Sequence, residues 1–343
     1  RHTVAEHRNA YRQSHRPVVE MTDAVGHAVR ATYFYTAMAD LAMLTSDTAY
    51  LAAVDRIWAN AIDRKHYITG GVGASHQGEA FSADFDLRND GYCESCAGCG
   101  LTFWADRMFR LHRDAHHIDV QERTLYNNIL GAVELSGENF FYQNPLSSEK
   151  TRYSWHGCPC CVGNIPRALL GIKDAMYAVD PARSSLYVNH FVASEGEVAE
   201  FAGTTVRICQ ETDYPWTGDI EISLSPREPA EFTLNIRIPD RSESKLYTVE
   251  PDLTGRFTIR LNGVEQTLTV NQGYVGLRRT WQNGDVVHLS LPMDVQRVYC
   301  DQRVRANRGR VALIRGPITY NLENVDHECD VRDLVLPRGA PLR

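Results

Sequence analysis

The amino-acid sequence predicts a multidomain chain of α-then-β class: an all-α region over residues 1–182 followed by an antiparallel β-sandwich over residues 183–343. Three observations predict it. Apolar residues recur every three or four positions up to about residue 182, they alternate with polar residues past Pro181, and Asn-Gly pairs interrupt the alternating half. The switch falls near 180–186, and 343 residues suffice for two domains.

Val25, Val29, Tyr33, Ala37, Leu41 and Leu44 line one face of a first helix behind a Thr22/Asp23 cap. Leu51, Val54, Trp58 and Ala61 mark a second behind Asp47. Helices over 95–112 (Leu101, Trp104, Met108, Leu111) and 118–134 (Tyr126, Ile129, Leu130, Val133) come next. Ile165, Leu169, Ile172, Met176 and Val179 then form the clearest buried face, at helical steps throughout. In the second half Ile220/Ile222/Leu224, Phe232/Leu234/Ile236/Ile238, Phe257/Ile259/Leu261 and Val287/Leu289/Leu291 alternate as half-buried strands do. Asn262-Gly263 and Asn283-Gly284 are hairpin-turn signals.

Composition narrows the function. With 43% apolar residues and 23% charged, the chain buries a core and is not disordered. A net charge of -7 and a pI near 6.0 leave no electrostatic footprint for nucleic acid or an anionic membrane. No run reaches the roughly 18 apolar residues of a membrane helix. The opening Arg1-His2-Thr3-Val4 carries neither initiator Met nor leader, as expected where the true start is missing. Six of nine cysteines fall in two clusters, Cys93/Cys96/Cys99 and Cys158/Cys160/Cys161. That is a metal or reactive-thiol distribution more than a disulfide framework, so a reducing, cytoplasmic setting is expected.

The clusters and one loop carry the candidate chemistry. Cys158-Pro159-Cys160-Cys161 stands just before a predicted helix, whose dipole favours thiolates. Within Tyr92-Cys93-Glu94-Ser95-Cys96, Glu94 and Cys96 offer an oxygen and a sulfur, and with Cys160 and Cys161 they make a four-ligand zinc set. Spacing alone leaves open buried structural cysteines, or sets that use Cys93 or Cys158. The loop Thr69-Gly70-Gly71-Val72-Gly73-Ala74-Ser75-His76-Gln77-Gly78-Glu79-Ala80-Phe81 lacks the Lys-Ser/Thr of a phosphate loop and follows no predicted strand. Its single carboxylate, Glu79, is either solvated surface or, among Gly and aromatic neighbours, a general acid in a lined cavity. His27 and Tyr142 read as core side chains or as ligand contacts. His116, His117 and His156 have no partner at helical spacing and stay outside the candidate site.

Taken together, Gly26-His27-Ala28-Val29-Arg30, Tyr67-Ile68-Thr69-Gly70-Gly71-Val72-Gly73, Gly78-Glu79-Ala80-Phe81, Glu94-Ser95-Cys96 and Cys160-Cys161 before Asn164 resemble glycoside hydrolase family 127, the bacterial β-L-arabinofuranosidases. The resemblance continues through Thr212-Asp213-Tyr214-Pro215-Trp216, Gly284-Asp285-Val286-Val287 and Arg315-Gly316-Pro317, nearly the whole chain. It implies a partial (α/α)6 barrel before the β-sandwich, because five helices do not close a twelve-helix barrel. It also implies apolar helix faces left uncovered where the N-terminal half is absent. Carried over by motif, zinc (Zn2+) would be held by Glu94, Cys96, Cys160 and Cys161. Cys160 would be the nucleophile of a retaining mechanism, Glu79 its general acid/base, and His27 and Tyr142 would touch the sugar. The expected partner is a small-molecule or oligosaccharide substrate; the sequence sets no oligomeric state. A zinc deaminase is a poor match, since neither His76-Gln77-Gly78-Glu79 nor Pro159-Cys160-Cys161 has that signature's spacing. The competing class is a noncatalytic carbohydrate-binding or scaffold protein with a structural zinc.

Overall fold

The computed structural model describes residues 4–240 and 244–342. Helices come first: α1 (Val4–Tyr11), α2 (Ala28–Thr45), α3 (Thr48–Lys65), α4 (Ser95–His112), α5 (Ala115–Thr124), α6 (Cys160–Gly171) and α7 (Lys173–Met176). The expected Asp47 cap of α3 is in place, its carboxylate accepting from the N–H groups of Ala49 and Tyr50. α4 spans the expected residues. α5 starts three residues before expectation, because Asp114 caps it, and a π-helical turn over Leu125–Leu130 ends it short of 134.

Two helix expectations are corrected. α2 is capped by His27, whose ring nitrogen accepts from the Arg30 N–H, while Thr22 and Asp23 hydrogen-bond to each other upstream. The face from Ile165 to Val179 is not one helix: α6 stops at Gly171, α7 carries Met176, and Val179 lies on a strand paired with Leu186. The three-residue step from Met176 to Val179 continues a helical count across a real change of backbone.

The strands are β1 (Tyr177–Asp180), β2 (Ser185–Val188), β3 (Ser194–Phe201), β4 (Thr204–Thr212), β5 (Asp219–Pro226), β6 (Ala230–Arg237) and β7 (Tyr247–Glu250). They continue as β8 (Thr258–Leu261), β9 (Val264–Glu265), β10 (Tyr274–Trp281), β11 (Asp285–Ser290), β12 (Val295–Cys300), β13 (Ala312–Arg315) and β14 (Ile318–Tyr320). One sheet has the order β1-β2-β6-β10, a second β3-β4-β5-β11-β8-β9 and a third β14-β13-β12-β7. Pairing is antiparallel except between β2 and β6, which run parallel. Leu186, Val188, Phe232, Leu234, Ile236 and Trp281 of the first sheet meet Ile208, Ile222, Leu224, Val287 and Leu289 of the second in one buried core, the interior of a sandwich.

The four expected runs are β5, β6, β8 and β11. Asn262-Gly263 closes the β8–β9 hairpin with both residues at positive φ, 49° and 81°. Asn283-Gly284 closes no hairpin: it turns the chain from β10 in the first sheet to β11 in the second.

Several contacts fasten the β-sheets to the helices. Fully buried Arg237, at the end of β6, pairs with Asp119 and with Glu122 (2.5 Å) on α5. The third sheet packs on the helical region, with Tyr247, Val298, Val304 and Ile314 against Tyr67, Ile68, Ala74, Leu87 and Cys93. Asn127, in the π turn, accepts from the Thr319 N–H (2.7 Å) and donates to the Pro317 carbonyl (2.9 Å). The third sheet therefore braces the segment from Tyr67 to Cys93, which carries Glu79. Among the described residues no helix is long and apolar enough to cross a membrane.

Candidate active site

The glycine loop places Glu79. At Gly73 (φ +84°) an added Cβ would sit 2.6 Å from the Cβ of Ala28, so only glycine lets the loop lie on the first turn of α2. Ser75 and Ala80 exchange backbone hydrogen bonds of 3.0 and 3.2 Å, and the Phe81 N–H donates to the Gly26 carbonyl at 2.8 Å. These bonds hold Glu79 in the left-handed region (φ 51°), at a cost of about 1 kcal/mol. Its carboxylate accepts from the Tyr92 hydroxyl at Oε1 (2.8 Å) and lies 3.1 Å from His27 Nε2 at Oε2. The Nδ1 atom of His27 accepts from the Arg30 N–H, so the imidazole proton is on Nε2 and His27 donates to Glu79. Burial, then the Arg30 charge, hold the His27 pKa below its ordinary value, which keeps the ring a neutral donor. Burial pushes the Tyr92 phenol up, so it too remains a donor.

The second group gathers at two helix N-termini. Glu94 is the N-cap residue of α4 and Cys96 lies in its first turn; Cys160 and Cys161 open α6. The helix dipole favours anions at both places. The Ser95 N–H donates to the Tyr142 carbonyl (2.9 Å) and the Ser95 hydroxyl to the Phe141 carbonyl (2.7 Å), which pins residues 141–142 beside the start of α4. Tyr142 Oη then reaches Cys160 Sγ at 3.1 Å, and its ring stacks on His156 at 4.0 Å.

Cys96 and Cys161 sulfurs are 3.2 Å apart, Cys160 and Cys161 3.9 Å, and Glu94 Oε1 lies 3.3 Å from Cys160 and 3.7 Å from Cys161. A tetrahedral zinc site with ordinary bond lengths has edges of about 3.8 Å between sulfurs and about 3.5 Å from sulfur to oxygen. Glu94 Oε2 is buried with no hydrogen-bond partner, an orphan acceptor that a cation would satisfy. The four ligand atoms lie within 4.8 Å of one another. One hard oxygen and three soft sulfurs at these spacings fit a zinc-like ion.

Electrostatics agrees. Sharing a proton with Cys161, then the Asn164 donor, draw the Cys96 thiol down, and the same shared proton together with burial pushes Cys161 up. Burial raises Cys160 and Glu94. Protons crowded into so small a space are what a divalent ion displaces. A ring nitrogen of His27 and oxygens of Glu79 and Glu94 also lie within 4.8 Å of one another, which sets the Glu79 carboxylate beside the ligand cluster.

The structure thus brings Glu79, His27 and Tyr142 around Glu94, Cys96, Cys160 and Cys161. Cys158 is exposed and Cys93 packs toward the third sheet, both outside this cluster. Sequence reasoning missed three contributors: Tyr92; His156, set aside for want of a helical partner; and Asn164, which donates from Nδ2 to Cys96 Sγ at 3.1 Å. The signal for Asn164 was present, since it follows Cys160 and Cys161 by four and three positions on one helix face.

Comparison with known proteins places the chain in one family. The family model for the beta-L-arabinofuranosidase GH127 catalytic domain matches residues 1–174, that for the GH127 middle domain residues 185–293, and that for the glycoside hydrolase family 127 C-terminal domain residues 295–343. The chain is 30% identical, over 99% of its length, to a non-reducing end beta-L-arabinofuranosidase of Bifidobacterium longum subsp. longum, and spans 52% of that protein. It superposes on a GH127 beta-L-arabinofuranosidase from Geobacillus stearothermophilus T6 with TM-score 0.90 and 41% identity, over 97% of this chain and 52% of that one. A second solved GH127 beta-arabinofuranosidase gives TM-score 0.87 and 40% identity, over 92% and 50%. The chain therefore spans about half the length of these relatives. With three family models matched in order along it, the chain belongs to glycoside hydrolase family 127.

Proposed function

We propose that this protein is a retaining glycoside hydrolase that releases L-arabinofuranose from β-L-arabinofuranosides, with Cys160 as nucleophile and Glu79 as general acid/base. The observation that carries the reading is the convergence of the two groups: Cys160 Sγ is 3.3 Å from Glu94 Oε1, and Glu94 in turn lies within 4.8 Å of Glu79. Retaining enzymes built on two carboxylates hold nucleophile and acid about 5 Å apart; here a thiolate would take the place of one carboxylate.

The Cys160 sulfur attacks the anomeric carbon as the glycosidic C–O bond breaks, and Glu79 delivers its proton to the departing oxygen. A thioglycosyl bond to Cys160 results. Glu79, now ionised, takes a proton from water; that water forms the new C–O bond, and the C–S bond breaks with its electron pair returning to sulfur. Tyr92 and His27 aim the Glu79 carboxylate through both steps, while His27 and Tyr142 border the space for the sugar. Glu94, Cys96, Cys160 and Cys161 would hold zinc, whose charge favours the deprotonated form of Cys160 at neutral pH. In this reading residues 1–182 are part of an (α/α)6 barrel, residues 183–343 are the β-sandwich region, and the thiols suit a reducing compartment such as the cytoplasm.

The test is hydrolysis of an aryl β-L-arabinofuranoside alongside zinc analysis. About one zinc per chain is expected, lost in a Cys160→Ala/Cys161→Ala variant, with Cys160→Ser and Glu79→Gln each lowering kcat by at least about a thousandfold. A Cys160→Ser enzyme of near-normal rate overturns the thiolate role. A wild-type protein that binds the sugar and zinc without turnover is instead a noncatalytic carbohydrate-binding protein with a structural zinc.

A further inference from the structure

A polar chain runs from the outer surface of the helices to the metal-ligand cluster. The exposed Arg167 guanidinium, on α6, lies 4.8 Å over the Phe103 ring of α4 and 5.6 Å over the Tyr33 ring of α2. Its Nη1 donates to the Tyr33 hydroxyl at 3.4 Å, that hydroxyl donates to Asn164 Oδ1 at 3.0 Å, and Asn164 Nδ2 donates to Cys96 Sγ at 3.1 Å.

The direction of this chain is fixed by chemistry. A guanidinium only donates, so the Tyr33 oxygen spends a lone pair on Arg167 and points its own proton at Asn164. Burial raises the Tyr33 pKa to about 12, so that proton stays in place. The amide oxygen must then face Tyr33, and the amide N–H is left facing the sulfur, which accepts. Such a bond suits a negatively charged sulfur best. Among the described residues, neither Cys161 nor Glu94 Oε2 has an amide donor of this kind.

We infer that Asn164, oriented by Tyr33 and Arg167, is a positioning residue of the metal centre: it holds the Cys96 sulfur in its ligating direction and draws electron density from it. The inference rests on the zinc-site reading above. Outer hydrogen bonds of this type are worth about 10–100-fold in metal affinity.

Cobalt(II) is the probe, because its thiolate-to-metal charge-transfer band reports electron density on sulfur. The chain, Asn164→Ala and Tyr33→Phe are each titrated with cobalt, with affinity measured by competition against a chromophoric chelator. Expected for Asn164→Ala is a 10–100-fold weaker affinity and a band moved to lower energy; Tyr33→Phe should move both in the same direction by less. A purely packing role would change the melting temperature and leave the band in place. Wild-type affinity and band energy in Asn164→Ala overturn the inference, and if that variant does not fold, an unchanged Tyr33→Phe overturns it. A wild-type chain that takes up neither cobalt nor zinc overturns the metal site itself, a result distinct from variants that bind as wild type does.

Discussion

Tyr92 shows how one side chain divides the labour around Glu79. Its hydroxyl and His27 Nε2 each hold one carboxylate oxygen, so both oxygens of Glu79 are directed by the protein alone. Removing one neutral-donor bond to a carboxylate costs about 1.5 kcal/mol, roughly tenfold in rate if the bond persists in the transition state. Tyr92→Phe should therefore lower kcat about tenfold with KM little changed; a kcat equal to wild type would show that His27 alone sets the carboxylate. At this scale the sequence disclosed residue types without their meeting. Glu-x-Cys and Cys-Cys are short patterns, and the separation of 65 positions between Cys96 and Cys161 is spanned only by folding. Tyr92 and Asn164 stayed hidden because a tyrosine before a cysteine, or an asparagine in a helix, has many commoner uses.

Among the elements, the glycine loop is the most exacting. A Gly73→Ala change puts a methyl group 2.6 Å from Ala28 Cβ at a φ of +84°. The expected cost is about 1–3 kcal/mol, read as a lower melting temperature, with a larger fractional loss of kcat because the displaced backbone carries Glu79. Equal losses of activity and folded fraction would mean that the loop moves as a rigid unit. α3 and α4 were legible because their apolar stripes agree with their ends. The passage from α6 to β1 was not, because Met176 and Val179 keep a helical interval while the backbone becomes extended. β10 escaped notice because Arg279 occupies a core-facing phase of its alternation, where its guanidinium lies 5.5 Å over Trp281 and 3.6 Å from Asp285. The sandwich was legible from alternation, but its sheet membership was not, since Asn283-Gly284 signals a turn without saying which sheets it joins.

Across the whole molecule, burial sets the response to acid. His66, His117 and His190 are buried, and burial is the first cause holding their pKa values below the ordinary 6.5, to about 3 for His190. An unfolded chain protonates these residues as pH falls through about 6.5, while the folded chain refuses the proton until lower pH. Their stabilising contribution is thus complete above pH 6.5 and is lost on descending toward about 3. His112 runs the other way, raised by its hydrogen bond to Asp55, but that pair is half-exposed and counts for less. Melting temperature should fall steadily from pH 7 to pH 5, whereas a rise over that interval would contradict the burial of these three rings. The brace between the third sheet and the segment from Tyr67 to Cys93 makes the far end of the chain a reporter on its centre. Cys93 packs against that sheet and is bonded directly to Glu94, which gives Glu94 a short covalent and packing path to β12 and β13. If the cluster takes up zinc as proposed, adding zinc should slow amide hydrogen exchange in residues 295–315, none of which belongs to the ligand set.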